Sequence, residues 1–202
     1  ELAALRAVAL QRGGRASDAA VVLEEALLDA PDDPRLLLAA AGAELAAGTQ
    51  DRADRAVLHA VAAAELSPFD ETVVVPAAEV CMRLGHYDRA LVLLDPVAER
   101  RGAASARVLH AQARAFRGAG RWEAAAERME RVVDAGGGSA ELWIALVDAY
   151  GRTGAVESAR DAAARAEAAG VEPGRLRMLV ARYSDASLAD LQALAATSPS
   201  PD

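Results

Sequence analysis

Five glycines, Gly14, Gly48, Gly85, Gly120 and Gly154, punctuate the chain at intervals of 34, 37, 35 and 34 residues. A recurrence of that length constrains the fold more than any composition does. It marks a supersecondary unit too small to bury both of its faces, which must therefore borrow an interior from its neighbours in a stack. Around each glycine the layout repeats: a helical pattern, a polar turn, and a second helical pattern.

The unit over residues 139–173 shows the pattern most clearly. Ser139 is placed to cap a helix with Glu141 in its first turn. Trp143, Leu146, Val147 and Tyr150 then fall at i, i+3, i+4 and i+7, one face of a helix. Gly154 breaks it, Ala159, Ala163 and Ala166 line the second helix, and Pro173 stops the unit. The preceding unit repeats this with Leu109, Ala113 and Phe116, then Gly120-Arg121-Trp122, then Ala125, Met129 and Val132. The one before has Val74, Ala78, Gly85-His86-Tyr87, Ala90, Leu94 and Val97. Two earlier units are poorer in aromatics but end on Pro31 and Pro68. The longer interval of 37 is expected to reside in the turn at residues 48–52, since a surface turn tolerates insertion.

Composition agrees with many thin layers rather than one thick centre. Of the 202 residues 53% are hydrophobic but only 3% aromatic, and much of the apolar content is alanine. Alanine favours helix and buries little area per residue. All 22 basic residues are arginine and the formal net charge is −8. The arginine-only usage, with abundant Ala, Gly and Pro, reads as the coding bias of a GC-rich bacterial genome. The acidic balance argues against a nucleic-acid binder, which needs a basic footprint. The single cysteine, Cys81, excludes an internal disulfide framework and a thiolate metal cluster.

Together the aromatics, the Gly-x-aromatic turns and the terminal prolines make the chain resemble tetratricopeptide-repeat proteins over residues 1–173. A small residue opens each second helix (Ala19, Ala56, Ala90, Ala125, Ala159) and lets paired helices approach closely. The resemblance implies an all-α fold, a right-handed superhelical stack of antiparallel helix pairs. Repeats are expected at 1–34, 35–71, 72–105, 106–139 and 140–173. Capping helices and a disordered tail are expected over 174–202, with Leu176, Leu179, Val180 and Tyr183 on one helix and Leu188, Leu191 and Leu194 on another. Pro96 should kink the second helix of the third unit or end it early, whereas Pro76 should fall in a first turn, where the missing amide costs nothing.

In that family the concave wall is built by the first helix of each unit and takes extended or helical peptides. Transferred to this chain, the wall positions are Val8, Gln11 and Arg12; Leu38 and Leu45; Val75, Glu79, Met82 and Arg83; His110, Arg114 and Arg117; and Ile144, Asp148 and Arg152. Apolar positions lead and arginines follow, so the implied partner is a protein or peptide with apolar anchors and an acidic or C-terminal carboxylate end. The bland alternative is that these arginines are solvated or paired with Glu79 and Asp148. The lysine/asparagine carboxylate clamp of chaperone-binding relatives is not matched, so a chaperone C-terminus is not the expected ligand.

No catalytic constellation emerges, and no metal or cofactor is expected. His59, His86 and His110 lie in three different units without ligand spacing. Cys81 stands where Phe116 and Tyr150 stand later and reads as packing; Trp122 and Trp143 read as core. Ser139 follows three glycines, but no Gly-Lys-Ser/Thr is present to cradle a phosphate. The expected function is a non-catalytic scaffold domain of a larger protein. The alternatives are RNA binding, because residues 146–173 also resemble a pentatricopeptide repeat, and self-association through the ends of the stack. Against RNA stand the acidic balance and Ala145 at the base-reading position. No apolar run reaches membrane-spanning length. With no initiating Met or signal-like start, the chain reads as a segment of a longer protein, and a cytoplasmic address is expected.

Overall fold

The computed structural model describes residues 2–100 and 104–184. The expected helix at Leu188, Leu191 and Leu194 and the expected disordered tail lie outside these. The described residues form eleven helices and no strand: α1 (Leu2–Arg12), α2 (Ala16–Asp29), α3 (Pro34–Ala47), α4 (Gln50–Leu66), α5 (Glu71–Arg83), α6 (Tyr87–Glu99), α7 (Ala106–Gly118), α8 (Trp122–Asp134), α9 (Ala140–Arg152), α10 (Val156–Ala168) and α11 (Pro173–Tyr183).

Two compact units divide the chain, Glu1–Gly118 and Ala119–Asp202. The division falls between α7 and α8, the two helices of the predicted fourth unit. In the N-terminal unit α1, α3, α5 and α7 pack in succession, and each even-numbered helix nests against the odd-numbered helices on either side of it. In the C-terminal unit α9 lies between α8 and α10, and α11 packs on α9 and α10.

Each of the five period-setting glycines has a φ between 73° and 80° and lies between successive helices. Gly85 shows why that residue type is needed. Its left-handed conformation lets the amide of His86 reach back to the carbonyl of Cys81 at 2.9 Å, satisfying an end-of-helix acceptor. Gly136 and Gly170 do the same service at the far ends of α8 and α10; the sequence reading passed over both. N-termini are capped as the side chains allow. Ser139 accepts from the Leu142 amide, as expected, and Asp33 and Asp70 cap α3 and α5.

The interior rests on close approach. Ala19, Ala56, Ala90, Ala125 and Ala159 are all fully buried. Around them pack larger anchors, among them Leu23, Leu94, Met129, Leu146 and Leu176. A methyl group at each crossing contributes only about 0.8 kcal/mol of transfer energy, but it sets the interhelix distance at which the leucines can mesh.

Three expectations need correction. The extra residues near Gly48 are not loop. α4 starts two residues after its glycine, as every second helix does, and runs 17 residues against 13 in α6, α8 and α10. Its buried set (Ala56, Val57, Ala60, Ala63, Ala64) is that of α8 (Ala125, Ala126, Met129, Val132, Val133) moved along by one turn. The insertion is thus an additional helical turn. Secondly, of the two outcomes expected at Pro96 the early end is not met, because α6 continues to Glu99. The acceptor that loses its partner is the Val92 carbonyl, on a residue two-thirds exposed, so the loss falls on the solvent side of the helix. Thirdly, Pro76 is the sixth residue of α5, beyond the first turn, so the Thr72 carbonyl forfeits its i+4 donor.

Candidate functional site

α5 and α7 pack side by side in the N-terminal unit, and their exposed faces bring together the densest group of the predicted wall residues. Glu79 and Arg114, one on each helix at the same distance from their turn glycines, meet at 3.1 Å. Both are nearly half exposed, so the pair contributes at most about 1 kcal/mol. The bland pairing with Glu79 is therefore present, and it does not consume the local positive charge. Arg114 and Arg117 lie close enough to His110 to depress its pKa: burial pushes it down first, the two guanidiniums add to this, and Glu79 opposes them. Arg83 and Arg117 are exposed. Around His110 one carboxylate, Glu79, thus meets two guanidiniums, Arg114 and Arg117, in a chain whose overall charge is negative.

α3 contributes Leu38 and Leu45, both partly exposed, and α1 contributes Val8, Gln11 and Arg12. Between the two leucines sits Gly42, in mid-helix, and a Cβ built there would meet nothing within 4 Å. Val75 and Met82, at 2% and 7% exposure, belong to the core and offer little surface to a partner.

The wall positions of the C-terminal unit are engaged internally. Asp148 accepts from the Tyr183 hydroxyl at 2.6 Å and from Arg152 Nε at 2.8 Å. Burial works against its charge, but Tyr183 and Arg152 prevail and hold the carboxyl below its usual range. Arg152 also lies 4.4 Å from the centre of the Trp122 ring. Trp122 is accordingly half-buried under a guanidinium rather than core, as the sequence suggested, whereas Trp143 is core. Ile144 is partly exposed.

Two polar clusters escaped the sequence reading. Glu44 is fully buried on α3, its Oε2 3.0 Å from His59 Nδ1 and its Oε1 3.4 Å from Arg55 Nε, while Arg55 also reaches Glu24 at 2.9 Å. Counting back from the turn glycine would have exposed it: Glu44 occupies the place held by Cys81, Phe116 and Tyr150 in later units. In the C-terminal unit Arg165 bridges Glu130 and Asp134, each at 2.9 Å, and lies 5.3 Å from the Trp143 ring. Tyr150 donates to Glu130 at 2.9 Å, and burial followed by that carboxylate pushes its pKa up to about 12.

The remaining candidates for chemistry are accounted for by packing or exposure. Cys81 is buried, which raises its thiol pKa and keeps it in the unreactive form. His86 is exposed at the start of α6. Among the described residues no group of three or more His, Cys, Asp and Glu side chains could hold a metal ion, and no helix is long and apolar enough to cross a membrane.

The tetratricopeptide repeat family profile matches residues 116–183. Solved structures similar in fold include MamA from Desulfovibrio magneticus (TM-score 0.66, 20% identity, covering 92% of this chain and 96% of that one). A tetratricopeptide repeat protein from Parabacteroides merdae gives 0.65 at 17% identity, covering 96% and 74%. Pseudomonas aeruginosa PilF gives 0.66 at 15% identity, covering 97% and 86%. No curated protein matches the chain in sequence.

Proposed function

We propose that this chain, a tetratricopeptide-repeat protein, is a non-catalytic scaffold that holds a segment of another protein along α3, α5 and α7 of its N-terminal unit. The observation that carries the reading is the pair of guanidiniums, Arg114 and Arg117, that converge beside His110, with Glu79 opposing them there. Leu38 and Leu45 supply apolar contact on the same series of helices. The partner segment accordingly carries apolar side chains and an acidic or C-terminal carboxylate end, for which arginine forks are suited. Asp148 and Arg152 have a different part in this reading: they position α11 through Tyr183 rather than touching the ligand.

A fluorescein-labelled peptide with two leucines and three C-terminal glutamates is a sufficient probe, with the same peptide ending in lysines as its control. The acidic peptide should bind more tightly, and Arg83→Glu with Arg117→Glu should weaken it at least tenfold in fluorescence polarisation. Both residues are exposed, so the fold survives the change. Equal binding of the two peptides, or indifference to the double reversal, would sink the reading.

A further inference from the structure

The outer surface of α6 departs from the repeat pattern at two places. Aligned by their turn glycines, α8 and α10 carry Glu127 and Asp161 where α6 has Val92, and Arg131 and Arg165 where it has Pro96. The turn before α5 departs in the same direction. Pro68-Phe69-Asp70 repeats Pro31-Asp32-Asp33, with a phenylalanine in place of the first aspartate. Asp33 and Asp70 each cap the helix that follows, so the two turns correspond. Val92 is 67% and Phe69 54% exposed, and burial in the core accounts for neither. Phe69, Val92 and Pro96 nevertheless meet, lining one open groove of about 540 Å³ that Asp95, Glu99 and Arg100 complete. Apolar side chains gathered on a surface where the fold elsewhere puts charge mark a contact with another molecule.

We propose that this groove holds an arginine flanked by apolar side chains, presented by a segment of another protein. Among the described residues its lining has two carboxylates and one guanidinium. Arg100 is engaged with the chain itself: its Nη1 donates to the Phe69 carbonyl at 3.4 Å, and its guanidinium carbon lies 5.7 Å from the centre of the Phe69 ring. Asp95 accepts from Gln112 Nε2 at 3.2 Å, a neutral donor that leaves its charge in place, and Glu99 is exposed. The two carboxylates stand at i and i+4 on α6, neighbours on one helical face. The Val92 carbonyl, deprived of its helical donor by Pro96, adds an acceptor on the same stretch. A guanidinium forks between two such carboxylates and lies flat against ring surfaces, which a lysine ammonium does not. The apolar neighbours of that arginine pack on Val92, Pro96 and Phe69. The assignment does not rest on the face of α5 and α7, whose partner is acidic.

A fluorescein-labelled peptide with a leucine-arginine-leucine centre and neutral flanks, titrated with the full chain at physiological ionic strength, tests it by fluorescence polarisation. Val92→Glu, which introduces the residue type α8 carries at this place, should weaken binding about tenfold or more. Glu99→Gln should weaken it several-fold, as should lysine in place of the peptide's arginine. Arg83→Glu with Arg117→Glu should leave it unchanged, since long-range charge is screened under these conditions. Absence of binding, indifference to Val92→Glu, or equal affinity for the lysine peptide overturns the proposal. So does a response to the double reversal, which would seat the peptide on α5 and α7 instead. Sedimentation velocity completes the test: a chain that dimerises, and turns monomeric as Val92→Glu, would give the groove to a second copy and overturn the assignment to another protein.

Discussion

The buried carboxylate of Glu44 offers the sharpest thermodynamic prediction, because the two halves of its ion pair are unequal. Glu44 is 0% exposed, whereas the Arg55 side chain is 43% exposed and has a second partner in Glu24. Removing one member of a buried pair costs about 3–5 kcal/mol when the other is stranded without solvent. Arg55→Met strands Glu44 in this way, with only His59 at 3.0 Å to answer it. The cost should therefore fall in that range, a large part of the roughly 5–15 kcal/mol that holds a domain together. Glu44→Leu strands less, since the Arg55 side chain is 43% exposed and keeps Glu24, His59 is one-quarter exposed, and later repeats hold Cys81, Phe116 and Tyr150 at that place. Its cost should stay near or below about 1 kcal/mol, as buried ion pairs replaced by apolar side chains often show. The double variant should recover most of what Arg55→Met loses, a coupling of about 2 kcal/mol or more in a double-mutant cycle. Urea denaturation followed by circular dichroism at 222 nm reads all three. Equal penalties for the two single variants, or simple additivity in the double, would refute the argument.

Other expectations are briefer. Gly42→Ala should stabilise by about 0.5–1 kcal/mol, because a mid-helix glycine is penalised by entropy and its Cβ direction is open; Gly151→Ala should destabilise, because the new methyl would run into the Tyr183 ring, and thermal melts distinguish the two. His110 has a folded pKa below its ordinary 6.5, so the unfolded chain binds more protons and stability falls as pH drops through 6.5 and on through the folded value; His110→Gln should flatten that slope in urea midpoints measured between pH 8 and 5. By the same electrostatics, the acidic probe peptide should bind more tightly at pH 5.5 than at pH 8. Tyr150, raised to about 12, contributes stability that is complete below pH 10 and lost as pH rises through about 12; absorbance at 295 nm should show one tyrosine titrating late, and Glu130→Gln should bring it earlier.

How much of this was legible in sequence depends on whether a feature is written in period or in contact. The helix pairs were readable because the need for a left-handed residue at each turn fixes glycine at a regular spacing, and the crossing alanines follow five residues behind in four of five units. The early end expected at Pro96 failed for a local reason: a lost hydrogen bond is cheap on an exposed face, and the sequence does not say which way Val92 faces. The wall residues were only half predictable. Their side of the helix follows from spacing, but the partner each one chooses does not, so Glu79 and Arg114 could be anticipated as neighbours while Asp148 could not be assigned to Tyr183. Glu44 and Trp122 were missed because each departs from the average of its column, and a pattern reader sees the average.

The added turn of α4 bears on how such a chain tolerates change in length. Three residues of helix raise the tip of that rod by about 4.5 Å, and no residue of its first turn belongs to the buried core, although Arg52 and Ala53 are partly covered. Excising residues 50–52 would thus remove a largely uncovered crown and leave the crossing at Ala56 in place. Growth or erosion at the rods' free tips, more than in the hinges between them, is where a lineage of this architecture has room to drift.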